Sequence, residues 1–244
     1  MSAQHIVRSF DKELDYLAKK IAEMGKHARH MVERSISAIV QDDSFLADRV
    51  IAEDIVLDEA ERDIDEKAIL IIALRQPMAV DLREIVGTIR MSADLERIGD
   101  MGKNIAKRVA AMTEIRQSAS FYKNLEAFAS LALRQLDEVL DAYAKQSLER
   151  IDAVREHDDE IDAMYTSLFR ELLSYMVEYP SNITVCTHLL FCAKNIERIG
   201  DHATNIAETV HYILTGYYPL SERPKDDQTY EVGLDKKRIF QKNV

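Results

Sequence analysis

The chain has 244 residues, 47% of them hydrophobic, and a formal net charge of −11 at pH 7. This negative charge excludes the basic surface through which proteins bind a phosphate backbone, so a nucleic-acid partner is not expected. Only seven glycines and four prolines interrupt a sequence rich in helix-forming residues, which indicates an all-α protein.

Apolar residues recur at alternating steps of three and four, the spacing of helices that bury one stripe. Breaks in this pattern predict six long helices, over residues 6–41, 44–75, 81–113, 118–145, 148–178 and 182–216. Pro77 and Pro180 each interrupt the pattern where a helical hairpin should turn. We therefore expect two pseudo-symmetric antiparallel three-helix bundles, with a single elongated six-helix array as the alternative.

The two bundles are predicted to span residues 1–116 and 117–216, followed by a polar, mobile tail over residues 217–244. The longest apolar run, residues 68–74, is far too short for a membrane span. Cys186 and Cys192 fall on different sides of one predicted helix and are expected to be buried free thiols, as in a reducing compartment. The first ten residues lack a signal-peptide pattern, so a cytoplasmic protein is expected.

A five-residue phrase, Glu-Arg-Ile-Gly-Asp, occurs twice, at Glu96–Asp100 and at Glu197–Asp201. Each copy is followed by Asn-Ile-Ala, at Asn104–Ala106 and Asn205–Ala207. Self-similarity of this kind indicates a duplicated structural unit, with one copy of the phrase in each predicted bundle.

Each copy places two carboxylates four residues apart, on one face of a helix. An acidic pair of the same spacing precedes each copy, and the pairs in one half lie equally far from the hairpin turn. Antiparallel packing should therefore bring four carboxylates together in each bundle. Clustered carboxylates are typical ligands of hard or borderline cations. The predicted metal ligands are Glu61, Asp65, Glu96 and Asp100 in the first half, and Asp158, Asp162, Glu197 and Asp201 in the second.

The carboxylates of the repeated phrase should point away from the bundle core. Glu96 and Asp100 each lie about 200° around the helix from Ile98, because successive residues turn by about 100°. If Ile98 and its counterpart Ile199 face the core, the acids form surface patches. The alternative interpretation is a solvated acidic face that is neutralised by the neighbouring arginines Arg62, Arg97 and Arg198.

Two further residue types bear on these patches. Gly99 and Gly200 each cost a helix about 1 kcal/mol relative to alanine, and they would leave room for a metal, a water or a close helix. His202 follows Asp201 and is a candidate nitrogen ligand in the second site alone, since Met101 occupies its position in the first copy.

The chain resembles the PhoU family of bacterial phosphate-signalling regulators over residues 5–216. The matching stretches are Arg75–Pro77, Asp81–Arg83, Asp94–Asp100, Asn195–His202 and Asn205–Ala207. The resemblance implies two pseudo-symmetric three-helix bundles. It also implies a cytoplasmic accessory protein of the phosphate-specific ABC transporter, which helps to keep phosphate-starvation genes off when phosphate is plentiful.

The same resemblance implies partners and cofactors. The partners are the ATPase subunit of the phosphate ABC transporter and a membrane sensor histidine kinase, and the chain is expected to form a homodimer. The cofactors are multinuclear clusters of iron, zinc or another divalent cation on the acidic pairs. Because Asn195 stands where the first copy has Asp94, and Met101 where the second has His202, identical metal content in the two sites is not expected.

Two other classes of function compete with this regulatory adaptor. A carboxylate-bridged di-iron oxidoreductase needs Glu-x-x-His on two helices, whereas the sequence has one such motif, Glu208–His211. A metal-independent scaffold would use its acids to attract the basic surface of a partner. Neither a nucleophile with its base nor a glycine-rich nucleotide loop occurs, so we expect no enzymatic activity.

Overall fold

The computed structural model describes residues 8–112, 119–156 and 158–219. The predicted tail lies outside the described residues from residue 220 onward. Within the described ranges the secondary structure is helical, with no strand. The helices are α1 (Arg8–Gln41), α2 (Ser44–Glu53), α3 (Ile55–Arg75), α4 (Val80–Met112), α5 (Ala119–Lys145), α6 (Leu148–Glu156), α7 (Asp158–Glu178) and α8 (Ile183–Thr215), the last preceded by a 3₁₀ turn at Pro180–Asn182.

The six predicted helices are confirmed, and the second of them is interrupted. Helix hydrogen bonding breaks at Asp54, between α2 and α3, although its φ of −56° and ψ of −37° remain helical. Residue 157, between α6 and α7, lies outside the described residues.

The turns also match between the halves. Asp42 after α1 and Gln146 after α5 both adopt positive φ, at 59° and 49°. The side chain of Asp43 then caps α2 by accepting a hydrogen bond of 2.9 Å from the backbone N–H of Leu46. At the hairpins, α3 ends at a left-handed Gln76 before Pro77, and Pro180 opens the 3₁₀ turn before α8. The two predicted proline turns are therefore confirmed.

Each half packs as a three-helix bundle, and the two halves pack on each other. Helices α1, α3 and α4 contact one another in the first half, as α5, α7 and α8 do in the second. Between the halves, α4 packs along α8 and α1 packs along α5. Gly87 faces Ile213, whereas Arg108, further along α4, lies over the ring of Phe191 at 4.5 Å. Helices α4 and α8 are therefore antiparallel, and the two hairpins lie at opposite ends of the molecule.

Ile98 and its counterpart Ile199 face the core, which is the condition on which the outward orientation of the acids depended. Ile98 and Ile199 are completely buried, as are Cys186 and Cys192, which are free thiols. Burial raises the pKa of the Cys192 thiol to about 12. No helix in the described part of the chain is both long enough and apolar enough to cross a bilayer.

Candidate functional site

Two glycines of the repeated phrase determine how the outer helix sits in each half. A Cβ atom at Gly99 would overlap the side chain of Leu57 on α3, and one at Gly200 would lie 2.7 Å from Cδ1 of Ile161 on α7. The space beside each glycine is therefore filled by a closely packed helix. The contacts also show that Leu57 and Ile161 are structural equivalents.

This equivalence changes which acidic pairs correspond between the halves. Asp58 directly follows Leu57, as Asp162 directly follows Ile161. Asp54 lies three residues before Leu57, as Asp158 lies three residues before Ile161. The counterpart of the Asp158 and Asp162 pair is thus Asp54 and Asp58. Counting residues from the hairpin turns had instead paired Asp158 and Asp162 with Glu61 and Asp65, which lie two turns beyond Asp54 and Asp58 along α3.

The first half brings six carboxylates together where α3 and its start at Asp54 pack against α4, and we call them the first cluster: Asp54, Asp58, Glu61, Asp65, Glu96 and Asp100. Burial raises the pKa of Glu96, and the charges of Asp100, Glu61 and Asp58 raise it further against the opposing effect of Arg97. Burial and then Asp65 raise the pKa of Glu61 in the same way. The structure therefore brings the two predicted pairs together, and it adds Asp58 and Asp54, which sequence reasoning missed.

Cationic side chains compensate part of this charge. The ammonium of Lys103 donates to Oδ2 of Asp54 and lies 3.5 Å from Oδ1 of Asp100. Arg97 lies 3.3 Å from both Glu96 and Asp100, as the solvated-face interpretation expected of it. Lys103 was missed, although its position three residues after Asp100 is the usual signal of a helical ion pair.

The second cluster lies between α7 and α8 and comprises Asp162, Glu197 and Asp201. The side chain of Asp158, the fourth predicted ligand, lies outside the described residues. Burial raises the pKa of Glu197; a hydrogen bond from Lys194 opposes this effect, and the charges of Asp201 and Asp162 add to it. The Lys194 ammonium donates to Oε1 of Glu197 at 2.7 Å. Oε2 of Glu197 is buried without a hydrogen-bond partner.

The expectation of open surface patches is wrong for the second cluster. Glu197 and Asp162 are only 6% and 7% exposed. In the first cluster, the side chains of Glu96 and Asp100 are 13% and 25% exposed. The acids do point away from Ile98 and Ile199, but the outer helix lies over them because the adjacent glycine allows it to approach closely.

His202 does not direct its Nδ1 atom toward the second cluster. That atom lies 2.9 Å from Oδ1 of Asp94 on α4, and Asn205 donates to the same oxygen at 3.4 Å. The prediction that His202 supplies this nitrogen to a metal is therefore not supported. Asp94 and His202 stand where the other copy has Asn195 and Met101, and they contact each other between the halves.

The donor atoms of the two clusters are of a kind that metal ions bind, although their arrangement is not that of a formed metal site. Among the described side chains, which exclude that of Asp158, no three His, Cys, Asp or Glu residues are arranged to hold a metal ion. The donors are nevertheless carboxylate oxygens, which hard and borderline cations prefer. Buried Oε2 of Glu197 and Oδ1 of Asp65 have no partner, and an unpaired buried oxygen is unfavourable. A cation at either oxygen would offset this cost, so the residues fit a metal chemically.

Replacing Glu197 with glutamine should raise the free energy of unfolding of the metal-free protein by about 1 kcal/mol at neutral pH. Burial raises the pKa of Glu197 above its ordinary 4.5 in the folded state, so its ionisation disfavours folding. The wild type should therefore lose stability as the pH rises from 4.5 through the folded-state pKa, and the variant should lose less.

Urea unfolding across this pH range measures both quantities. Glu208→Gln on the same helix is the matched control, because Glu208 is less buried than Glu197. Equal pH slopes for Glu197→Gln and the wild type would contradict the buried, charged state of Glu197.

Sequence comparison identifies the family. The sequence profile of the PhoU domain matches the chain twice, over residues 21–109 and 125–210, one match in each half. The chain belongs to the PhoU family. This membership confirms the resemblance seen in the motifs and the prediction that the chain is not an enzyme.

Relatives of the PhoU family match nearly the whole chain. It is 60% identical over 233 residues to the phosphate-specific transport system accessory protein PhoU homolog of Rhizobium meliloti, covering 96% of this chain and 98% of the relative. A protein of the same description from Caulobacter vibrioides is 47% identical over 224 residues, which are 92% of this chain and 97% of the relative.

Solved PhoU structures share the fold. PhoU from Pseudomonas aeruginosa is 33% identical and superposes with a TM-score of 0.79, covering 85% of this chain and 100% of that chain. The phosphate transport system regulatory protein PhoU from Streptococcus pneumoniae is 26% identical, with a TM-score of 0.81 over 86% of this chain and 99% of that one. The predicted all-α fold of two PhoU repeats is confirmed.

Proposed function

We propose that this PhoU-family protein regulates phosphate uptake and represses the phosphate-starvation response. It would act in the cytoplasm as an adaptor between the phosphate ABC transporter, through its ATPase subunit, and a phosphate-sensing histidine kinase. The observation that carries the proposal is the 60% identity, over nearly the full length of both chains, to a protein named as a phosphate-specific transport system accessory protein. We further propose that it functions as a homodimer whose repeats span residues 1–116 and 117–216.

The two hairpins support an adaptor that holds two partners. Leu74 and Met78 at the α3–α4 hairpin are 66% and 79% exposed, and Val177 at the α7–α8 hairpin is 65% exposed. Exposed apolar side chains that cluster on a surface are typical of protein contact sites. Because the hairpins lie at opposite ends of the molecule, one protein would contact a different partner at each end.

A metal-independent scaffold is the second candidate, and one observation favours metal instead. The buried Oε2 of Glu197 has no partner, which a pure docking surface would not require. The residues that would hold a cation are the eight predicted acids, joined in the first cluster by Asp54 and Asp58. A metal would supply a cross-link between the outer helix and α4 or α8, which is a structural contribution. The cation would be iron, zinc or another divalent ion.

The test is alkaline phosphatase activity in phosphate-rich native cells that lack this protein, compared with cells in which it is restored. Loss should raise the activity, and wild-type protein should return it to a low level. Restoration with Met78→Asp or Val177→Asp should fail because each introduces a charge into one proposed contact. Phe45→Asp is the control, since Phe45 is 72% exposed but lies on α2, outside both hairpins. Low activity in cells lacking the protein would contradict the regulatory role.

A further inference from the structure

The end of α4 and the start of α8 form a region without acidic residues. Residues 101–112 of α4 and 183–195 of α8 include no Asp or Glu, although the chain has 43 of them. The same two stretches include four cationic residues, Lys103, Lys107, Arg108 and Lys194. Because α4 and α8 are antiparallel, the stretches lie side by side, at the end of the molecule that carries the α7–α8 hairpin. This end is therefore positively charged in a protein whose net charge is −11.

Two of these cations already bind carboxylates, whereas one arginine does not. Lys103 and Lys194 contact acids of the first and second clusters, respectively. Arg108 has no ion pair among the described residues, and its Nε atom is buried without a hydrogen-bond acceptor. The charge of Arg108 lowers the pKa of the nearby His188, whose Nδ1 atom is also buried without a partner. Arg108 is thus a cation that lacks an anion in the free protein.

The equivalent position in the other half is closed by apolar packing. His188 corresponds to Gly87, and Arg108 corresponds to Thr209, by the offset that separates the two copies of the repeated phrase. A Cβ atom at Gly87 would lie 3.4 Å from Cγ2 of Thr209, so these two residues pack directly. The duplicated fold therefore needs neither a guanidinium nor an imidazole here, which indicates that Arg108 and His188 serve another purpose.

Exposed apolar side chains connect this region with the α7–α8 hairpin. Ile183, Thr187 and Phe191 recur every four residues, so they share one face of α8. Ile183 and Phe191 are both 48% exposed, and Val177 at the hairpin is 65% exposed. The Arg108 guanidinium lies over the Phe191 ring, about 12 Å along α8 from Ile183. Arginine and aromatic side chains are common among the residues that dominate binding energy at protein interfaces.

We propose that the protein which docks at the α7–α8 hairpin extends along α8 and places an acidic side chain against Arg108. We call Lys107, Arg108, His188 and Phe191 the basic patch. Such docking presupposes the adaptor role proposed above, and it specifies the chemistry of one partner: an apolar segment followed by Asp or Glu. Charge complementarity favours an acidic protein segment. An anionic bilayer fits less well, because the rest of this acidic chain would be repelled by it.

The test measures binding of the full-length protein to two probes, which are the ATPase subunit of the phosphate transporter and the full-length histidine kinase in nanodiscs. The wild type should bind both, and Val177→Asp should identify the probe that docks at the α7–α8 hairpin. Arg108→Glu should weaken binding of that same probe by about tenfold or more and leave the other unchanged. Arg90→Glu is the matched control, because Arg90 also lies over aromatic rings, those of Tyr212 and Tyr218, but at the other end of α4.

Phe191→Glu tests the patch if Arg108→Glu does not fold, which thermal unfolding by circular dichroism reports for every variant. Phe191 is half exposed, and its replacement sets a carboxylate beside the guanidinium that the partner would otherwise use. Phe191→Glu should weaken the same probe by about tenfold or more, and Phe191→Leu by less. Raising the salt concentration from about 50 to about 300 mM should weaken the wild type more than Arg108→Gln, because screening acts on a charge contact that this variant lacks.

Three results would overturn the proposal. They are equal weakening of one probe by Arg108→Glu and Arg90→Glu, full binding by folded Arg108→Glu of the probe that Val177→Asp loses, and binding of neither probe by the wild type. Vesicles of phosphatidylglycerol that bind the wild type but not Arg108→Glu, with both protein probes unaffected, would assign the patch to a membrane surface instead.

The phosphatase assay separates this docking from the regulatory function. A wild type that does not repress alkaline phosphatase refutes the proposed function itself. A wild type that represses the enzyme, together with a folded Arg108→Glu that represses it equally well, refutes only the role of the basic patch.

Discussion

Replacing Gly102 with valine should lower the free energy of unfolding by about 3 kcal/mol. A Cβ atom at this position would lie 3.2 Å from the backbone nitrogen of Val32 and 3.3 Å from the carbonyl carbon of Met31. These are backbone atoms of α1, which cannot rotate away as a side chain does. Helices α1 and α4 would have to separate, with loss of packing along their whole contact. Urea unfolding followed by far-ultraviolet circular dichroism measures the loss.

The alanine variants separate close packing from helix propensity. Helix propensity alone predicts that replacing glycine with alanine within a helix raises the free energy of unfolding by about 1 kcal/mol. Gly102→Ala should instead lose stability, because its new methyl group meets the backbone of α1. Gly25→Ala is the matched control: its Cβ would meet the flexible end of Leu140, which can move. A stabilising Gly102→Ala would contradict the close contact between α1 and α4.

Replacing Lys103 with methionine should lower the free energy of unfolding of the metal-free protein by about 2 kcal/mol. Asp54 is only 6% exposed, and the variant leaves its carboxylate without the ammonium that now contacts it. Methionine retains the length and the apolar stem of lysine, so the change isolates the charge. Chemical unfolding of the metal-stripped protein gives the value.

The double variant and a neighbouring lysine provide the controls for this prediction. Asp54→Asn combined with Lys103→Met should recover most of the stability, since no unpaired buried charge remains. Lys107→Met, one turn further along α4, should change stability little because Lys107 is exposed. Equal losses for Lys103→Met and Lys107→Met would mean that the contact with Asp54 contributes nothing.

Sequence reasoning recovered the features that depend on local pattern. Apolar periodicity predicted the six long helices, because each helix buries one apolar stripe. Pro77 and Pro180 marked the hairpins because proline cannot continue a helix. The repeated phrase also located Glu96 and Glu197, since its spacing puts each beside a second carboxylate on the same helix face.

The features that were missed depend on how separate helices fit together. The spacing of acids on α3 repeats over several turns, so counting from the hairpin did not show that Asp58 rather than Asp65 corresponds to Asp162. The contact of Gly99 with Leu57 decides that register, and the sequence contains no measure of it. For the same reason, the burial of Glu197 and the contact of His202 with Asp94 were not predicted.

The close approach of the outer helices has a kinetic consequence. Glu197 lies at the interface of α7 and α8, and Ile161 packs directly against Gly200 beside it. An ion that binds the buried oxygen of Glu197 would enter and leave between these helices. Exchange at this position would then follow the rate at which α7 lifts from α8, and a larger residue at Gly200 would accelerate it by loosening that contact.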